Sequence, residues 1–313
     1  MSFSTDTKNE LARVIPEKDC CKLAEIAGFL RVTAGFLIAG GGRVRLTMTT
    51  DNPAVARHFK GLIRDYFDVD TELDIEKAPA PRKGYSYILT VTDLDDSDSI
   101  LRETGMLMVK QKMNYISDGI YRDIIRTKCC RKAYMRGIFL GAGTISDPQK
   151  GYHLEFVLKS NTLAKDLRHL INTFDDLSVK ITRRGDKYIV YMKNFQYIRD
   201  TLAIMKAYTK VLELEDVAIS KEMRNQATRM TNCDNANMDR TLDASERQRL
   251  AIRRIREMDA MGKLTPKLRD LAELRESNPD ASLTALGEMM DPPLKKSGVN
   301  NRMKRIIEFA DKL

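Results

Sequence analysis

The sequence predicts an α+β fold in which one αββαββα unit occurs twice and is followed by an all-α domain. Three observations lead there. A segment that opens on a cysteine pair and reaches a glycine eight residues later appears as CCKLAEIAGFLRVTAG at 20–35 and CCRKAYMRGIFLGAGT at 129–144, an offset of 109 residues. A helix-opening asparagine recurs at that same offset, Asn52 and Asn161. Residues 244–313 then read as helices. An offset held at two separate elements indicates duplication, because chance similarity of amphipathic segments does not fix the spacing of what lies between them.

The elements follow in order. After the first cysteine segment, GFLIAGGGRVRLTMTT alternates around three glycines and reads as a hairpin. In DNPAVARHFKGLIRDYF, Asn52 is placed to cap, Pro53 fits the first helical position, and Phe59, Leu62, Ile63 and Tyr66 fall at helical spacing. TELDIEKA and GYSYILTVTD form a second strand pair joined by PAPRKG, and SDSILRETGML closes the unit as a helix. The second unit repeats this with GTIS and YHLEFVLKS, then NTLAKDLRHLINTF opened by Asn161. LSVKITRRGDKYIVYMK turns at Gly185-Asp186, and NFQYIRDTLAIMKAY closes the unit. The resulting division is 1–108 and 109–220 for the two repeats, 221–243 for a connector rich in Asn, and 244–313 for the helical domain.

Within the repeated segment, Gly28 and Gly137 leave a helix backbone bare, as do the small residues beyond them, including Gly35 and Gly143. Two such helices pack with backbones nearly touching, so the repeats are expected to meet about a pseudo-twofold axis.

Charge and cysteine usage set limits. The net charge is +9, divided as +6 over residues 1–215 and +3 beyond, so a polyanion partner requires local concentration of charge. No stretch reaches the roughly 18 uncharged apolar residues of a membrane span, and the polar N-terminus lacks a signal peptide core. A cytoplasmic protein is expected, with no membrane partner. The cysteines are two adjacent pairs, Cys20-Cys21 and Cys129-Cys130, and a lone Cys233. With no C-x-x-C and only three histidines, no zinc or other metal site and no cofactor are expected, and one cysteine of each pair reads as a small buried hydrophobe.

In the C-terminal part, ASERQRLAIRRIREMDAMG carries an apolar stripe of Leu250, Ile252, Ile255 and Met258, and TPKLRDLAELRESNP forms a second helix. DASLTALGEMM is a short helix with Ser282 as N-cap, DPPLKKSG a turn, and VNNRMKRIIEFADKL a final helix with Val299, Met303, Ile306, Ile307 and Ala310 facing inward. A short helix, a tight turn and a longer basic helix are the parts of a helix-turn-helix. Asn300, Asn301, Arg302, Lys304 and Arg305 then occupy the outer faces near the start of the last helix, where such helices touch bases. Lys295, Lys296 and Ser297 are placed to hold phosphates at the helix N-terminus, and Ser282 and Thr284 of the short helix join the candidate DNA-binding residues. Six basic against two acidic residues in 295–313 support this over an ordinary solvated face.

The duplicated αββαββα unit around Gly-containing helices resembles the LAGLIDADG homing endonucleases. MRGIFLGAG at 135–143 aligns with the nine-letter motif, Gly137 and Gly143 falling on its glycines. In those nucleases the residue before the last glycine is an acid that holds the catalytic metal. Here that position is Ala142, and in the first copy, AGFLRVTAG at 27–35, it is Thr33 or Ala34. Metal-assisted phosphodiester cleavage needs carboxylate oxygens, which a methyl or a lone hydroxyl does not replace. Asp147 reads as a turn residue. No catalytic residue is therefore expected.

Over essentially the whole chain, the sequence resembles the WhiA family of bacterial sporulation and division regulators. The resemblance rests on CKLAEIAGFLRVTAG, NCDNANMDRTLDASERQ at 232–248 and SLTALGEMMDPPLKKSGVNNRMKRI at 282–306. It implies a nucleoid-associated regulator of transcription in a Gram-positive bacterium, acting on sporulation genes or on division and chromosome segregation, with its DNA-binding helix over 296–311. The partners it implies are double-stranded DNA and another transcription regulator or RNA polymerase. Two alternatives stand beside it: an endonuclease or maturase with relocated acids, and a scaffold that recruits another regulator and uses DNA weakly.

Overall fold

The computed structural model describes residues 2–40, 43–77 and 84–313. The chain divides into two compact units, Met1–Ser220 and Lys221–Leu313.

The first unit opens on a helix absent from the sequence reading, α1 (Phe3–Leu11), capped by the Ser2 hydroxyl, which accepts from the Thr5 amide. The first repeat follows as α2 (Asp19–Thr33), β1 (Ala34–Gly40), β2 (Arg43–Thr50), α3 (Pro53–Phe67), β3 (Thr71–Lys77), β4 (Tyr85–Val91) and α4 (Leu94–Glu103). A small hairpin of β5 (Leu107–Lys110) and β6 (Met113–Ile116) comes next, so the repeat boundary drawn at 108/109 falls inside a strand. The second repeat is α5 (Lys128–Ala142), β7 (Gly143–Ile145), β8 (Leu154–Leu158), α6 (Asn161–Ile171), β9 (Lys180–Arg184), β10 (Lys187–Met192) and α7 (Phe195–Met205). The turn expected around Gly41 and Gly42 and the proline-rich link at 79–83 lie outside the described residues.

The duplication is exact in topology. Each repeat forms a four-stranded antiparallel sheet, ordered β1-β2-β4-β3 and β7-β8-β10-β9. The local signals act as expected at most ends. The Asn52 side chain accepts from the amides of Ala54 (2.8 Å) and Val55 (3.2 Å), which starts α3 at Pro53. The β9–β10 hairpin turns at Gly185, whose φ of 63° lies in the left-handed region that glycine tolerates. One expectation fails: Asn161 is the first residue of α6, and its cap is Ser160, whose hydroxyl accepts from the Leu163 amide at 3.3 Å.

The two repeats meet along α2 and α5, which start and end at positions 109 apart. A Cβ on Gly28 would lie 2.3 Å from the Tyr134 carbonyl oxygen, and one on Gly137 would lie 2.1 Å from the Glu25 carbonyl oxygen. Since 25 and 134 are themselves 109 apart, the contact is reciprocal: each glycine receives the carbonyl three residues before the other. The remaining two glycines assigned to this seam do not serve it. Gly35 sits in β1, where a Cβ would meet the Thr47 hydroxyl, and at Gly143, the first residue of β7, it would meet Phe139 of the preceding helix α5. Gly141 does face the partner helix, against Val32 and Thr33.

Pseudo-symmetry is broken by one buried ion pair. Glu25 is fully buried, and its carboxylate accepts from Arg136 Nε at 3.0 Å and contacts His58 Nε2 at 3.0 Å. The position equivalent to Glu25 is Tyr134, and that equivalent to Arg136 is Ala27, so the charges occur once.

Residues 221–243, expected as a connector, are helical: they belong to α8 (Tyr208–Glu257), and the division between the two units falls within it. Glu10 caps this helix, accepting from the amides of Thr209 (2.8 Å) and Lys210 (3.1 Å). The polar stretch is almost wholly exposed, and Thr228, Thr231 and Thr241 donate to the carbonyls four residues back. These hydroxyls are bonded within the helix instead of competing with it.

In the second unit the end of α8 packs with α9 (Pro266–Ser277), α10 (Leu283–Glu288) and α11 (Lys296–Ala310). The core holds Ile252, Ile255, Leu271, Leu286, Val299, Met303, Ile306 and Ala310. Leu250 and Met258, assigned to the same stripe, are 54% and 57% exposed, and Ile307 is half-buried. Around a helix, Leu250 and Met258 lie well off the Ile252–Ile255 direction, so the buried stripe is narrower than the sequence implies.

Candidate nucleic-acid interface

The link between α10 and α11 is set by a close approach. Ser282 caps α10 by accepting from the Ala285 amide at 3.1 Å. At the other end, the Gly287 carbonyl accepts from the Leu294 amide at 2.8 Å, and a Cβ on Gly287 would lie 2.1 Å from the Leu294 carbonyl oxygen. The missing side chain therefore lets the turn fold back against the short helix. With Val299 and Leu286 buried beneath, the start of α11 is held on the surface.

α11 begins at Lys296, three residues before the apolar pattern from Val299 marks a helix and at the start that the family resemblance implies. Its N-cap residue Lys295 makes no side-chain capping bond, and Lys295, Lys296 and Ser297 are all exposed. The first amides of a helix attract anions, so two lysines beside them make this end strongly receptive to a phosphate group. Lys295, Lys296, Ser297, Asn300 and Leu283 line an open depression of ≈ 540 Å³ at this point.

The buried line Val299, Met303, Ile306 and Ala310 fixes which face of α11 is free. Ser297, Asn301, Lys304 and Arg305 lie opposite it and are exposed, while Asn300 and Arg302 flank the core line and are half-buried. Ser282 and Thr284 of α10 are exposed. The outward face of α11 thus offers a hydroxyl, an amide and two cations over two turns.

The helices α2 and α5 end at Thr33 and Ala142, which lie 109 residues apart. The Thr33 hydroxyl donates to the Phe29 carbonyl at 2.8 Å. Asp147 accepts from the Gln149 amide at 2.9 Å and closes a turn. The two sheets differ in charge at their β3 and β9 edges. Glu72, Asp74 and Glu76 are exposed on alternate residues of β3, whereas β9 exposes Lys180, Arg183 and Arg184.

Three family models match successive parts of the chain. Residues 19–107 match the WhiA N-terminal LAGLIDADG-like domain, 131–224 the WhiA LAGLIDADG-like domain, and 227–310 the WhiA C-terminal HTH domain. A "probable cell division protein WhiA" of Alkaliphilus oremlandii is 43% identical over 314 residues, covering 100% of this chain and 98% of the relative. The chain belongs to the WhiA family. A second WhiA relative, from Thermoanaerobacter pseudethanolicus, is 42% identical over 316 residues, again covering 100% of this chain and 98% of the relative. Among solved structures, full-length WhiA from Thermatoga maritima has the same fold, with a TM-score of 0.61 at 22% identity over 100% of this chain and 99% of that one. The N-terminal LAGLIDADG domain of a WhiA gives 0.51 at 19% identity over 66% of this chain and 90% of that one. No described helix is long and apolar enough to cross a membrane.

The cysteines lie closer together than their places in the sequence suggest. Cys21 and Cys130 are buried and Cys20 and Cys129 exposed, one of each kind per pair. The pairs do not stand apart, however: α2 and α5 bring all four sulfurs within 4.8 Å of one another. Burial pushes the Cys21 and Cys130 thiols up. Hydrogen bonding from the Thr127 hydroxyl, and then from Cys21, brings Cys129 down to about 7. The signal that would have found the cluster was present, since two equivalent pairs on two helices already expected to touch must themselves come close.

Proposed function

We propose that this protein is a sequence-specific DNA-binding regulator of transcription in which α11 reads base edges and the duplicated domain no longer cleaves DNA. The observation that carries this reading is the outward face of α11, with Ser297, Asn301, Lys304 and Arg305 exposed behind an N-terminus flanked by Lys295 and Lys296. An Asn side chain matches the paired donor and acceptor of adenine, and Arg matches guanine, while the lysines and free amides suit phosphates. The cell-division name of the relatives supports control of division and chromosome segregation genes, or of sporulation genes in a sporulating Gram-positive host. Such a protein works in the cytoplasm on the nucleoid. The absence of a carboxylate at Ala142 and Thr33 supports loss of the nuclease chemistry.

The test is selection from fragmented genomic DNA by the full-length protein, followed by affinity measurement on a selected fragment and on random DNA. Asn301→Ala and Arg305→Ala are expected to cost roughly 1–3 kcal/mol each on the selected fragment and much less on random DNA. Equal loss on both would reduce α11 to a phosphate contact.

A second reading draws on the β3 edge. Glu72, Asp74 and Glu76 repel a phosphate backbone, so the first repeat is better suited to a protein surface than to half of a DNA saddle. In that reading the duplicated domain recruits another regulator or RNA polymerase while α11 holds the DNA.

A further inference from the structure

We infer that Cys20, Cys21, Cys129 and Cys130 form a zinc site that clamps the starts of α2 and α5 together. The four sulfurs are all free thiols and lie within 4.8 Å of one another, and no other such group of potential metal ligands occurs among the described residues. A tetrahedral zinc with Zn–S bonds of about 2.3 Å sets its sulfurs about 3.8 Å apart. No two of the sulfurs stand more than about 1 Å beyond that spacing. An all-thiolate donor set selects a soft or borderline cation over magnesium or calcium.

The surroundings suit the charge. Four thiolates around a divalent ion carry two net negative charges. The cysteines are the second and third residues of α2 and of α5, so they sit at the positive ends of two helices. Lys18, Lys128, Arg131 and Lys132 add cations in the adjoining sequence, against one acid, Asp19. Each repeat supplies one equivalent pair, so the site is two-fold in origin, with two ligands per copy. Neither cysteine pair alone has the C-x-x-C spacing of a zinc site; the ligand set exists only once the repeats dock.

The location gives the site a structural role. A clamp here holds the ends of the helices whose glycine contact joins the repeats, three turns or so from the positions of the lost acids. Cys20 and Cys129 are exposed, which leaves an entry path for the ion.

The experiment uses the full-length chain, reduced and stripped with a chelator, then titrated with Co²⁺ as a coloured substitute for zinc. We expect the visible absorption of tetrahedral cobalt thiolate to grow to one ion per chain and to be displaced by one equivalent of Zn²⁺. Cys233→Ser should keep that spectrum. Cys20→Ser with Cys129→Ser should lose it while retaining the wild-type helical circular dichroism, since both side chains are exposed. Zinc should also raise the melting temperature of wild type and not of that double variant. A reduced, folded chain that takes up no cobalt overturns the site, as does a spectrum that the double variant leaves unchanged. Cysteine bridges that form in air and, once reduced, give thiols that bind no metal would also overturn it, and would assign the cluster to redox chemistry.

Discussion

Replacing Gly28 by alanine tests the seam between the repeats at its tightest point. The added Cβ would stand 2.3 Å from the Tyr134 carbonyl oxygen. Ordinary contact needs about 3.5 Å, so the two backbones must part by roughly 1 Å. The obstructing atom is a helix carbonyl and has no rotamer to escape into. Around it Phe29, Leu30, Tyr134 and Ile138 are all buried, so separation loosens packing along the whole seam. Overpacking of this kind costs about 1–3 kcal/mol, and a backbone obstacle places it at the upper end. For a unit of this size that lowers the melting temperature by roughly 6–12 °C. Gly61 is the internal control. It lies in the middle of α3 with nothing within 4 Å of an added Cβ, so Gly61→Ala should stabilise by about 1 kcal/mol through helix propensity. Calorimetry of both variants, with the transition of the duplicated domain followed separately, makes the comparison. The reasoning is refuted if Gly28→Ala melts with Gly61→Ala.

Three further outcomes follow from the same geometry. Arg136→Met leaves the Glu25 carboxylate buried with only His58 beside it, and should cost about 3–5 kcal/mol in the same calorimetric assay; Glu25→Leu added to it should restore part of that stability. Lys295→Ala with Lys296→Ala should lower the slope of log affinity against log salt by about 0.9 for each phosphate no longer neutralised, with little change in which fragments are selected. Ala142→Asp should leave supercoiled plasmid intact in the presence of Mg²⁺, because a single acid without a partner at Thr33 does not assemble a metal site; nicked plasmid would show that more of the nuclease machinery survives.

What the sequence disclosed was whatever rests on periodicity or on a single strong local signal. Asn52 with Pro53, the Gly185 turn, the Ser282 cap and the glycine pair each leave an unmistakable residue at a fixed place, and the 109-residue offset ties them together. α1 escaped notice because only Phe3, Thr7 and Leu11 are buried, a stripe one residue wide with a threonine in it. The helical state of the connector within α8 is hidden in the sequence for a related reason. Its middle is rich in Asn, Asp and Thr, poor helix formers, and faces solvent all round, so no apolar stripe marks it. Helix already formed on both sides extends through it at low cost, since propagation needs no new nucleus. At the candidate interface the sequence located α11 but not which of its residues face outward. Arg302 and Asn300 fall beside the buried line, a distinction of about 100° per residue that becomes visible only when Val299, Met303 and Ile306 are known to be inside.

The central claim is that this chain reads DNA without cutting it. The most direct measurement incubates the full-length protein with fragmented genomic DNA and Mg²⁺, and follows retention and strand integrity in the same tubes. A few fragments should be selectively retained, every one intact, and Asn301→Ala should hold them more weakly by roughly 1–3 kcal/mol. Cut strands, or undiminished retention of the same fragments by Asn301→Ala, would contradict this and return the function to the duplicated domain.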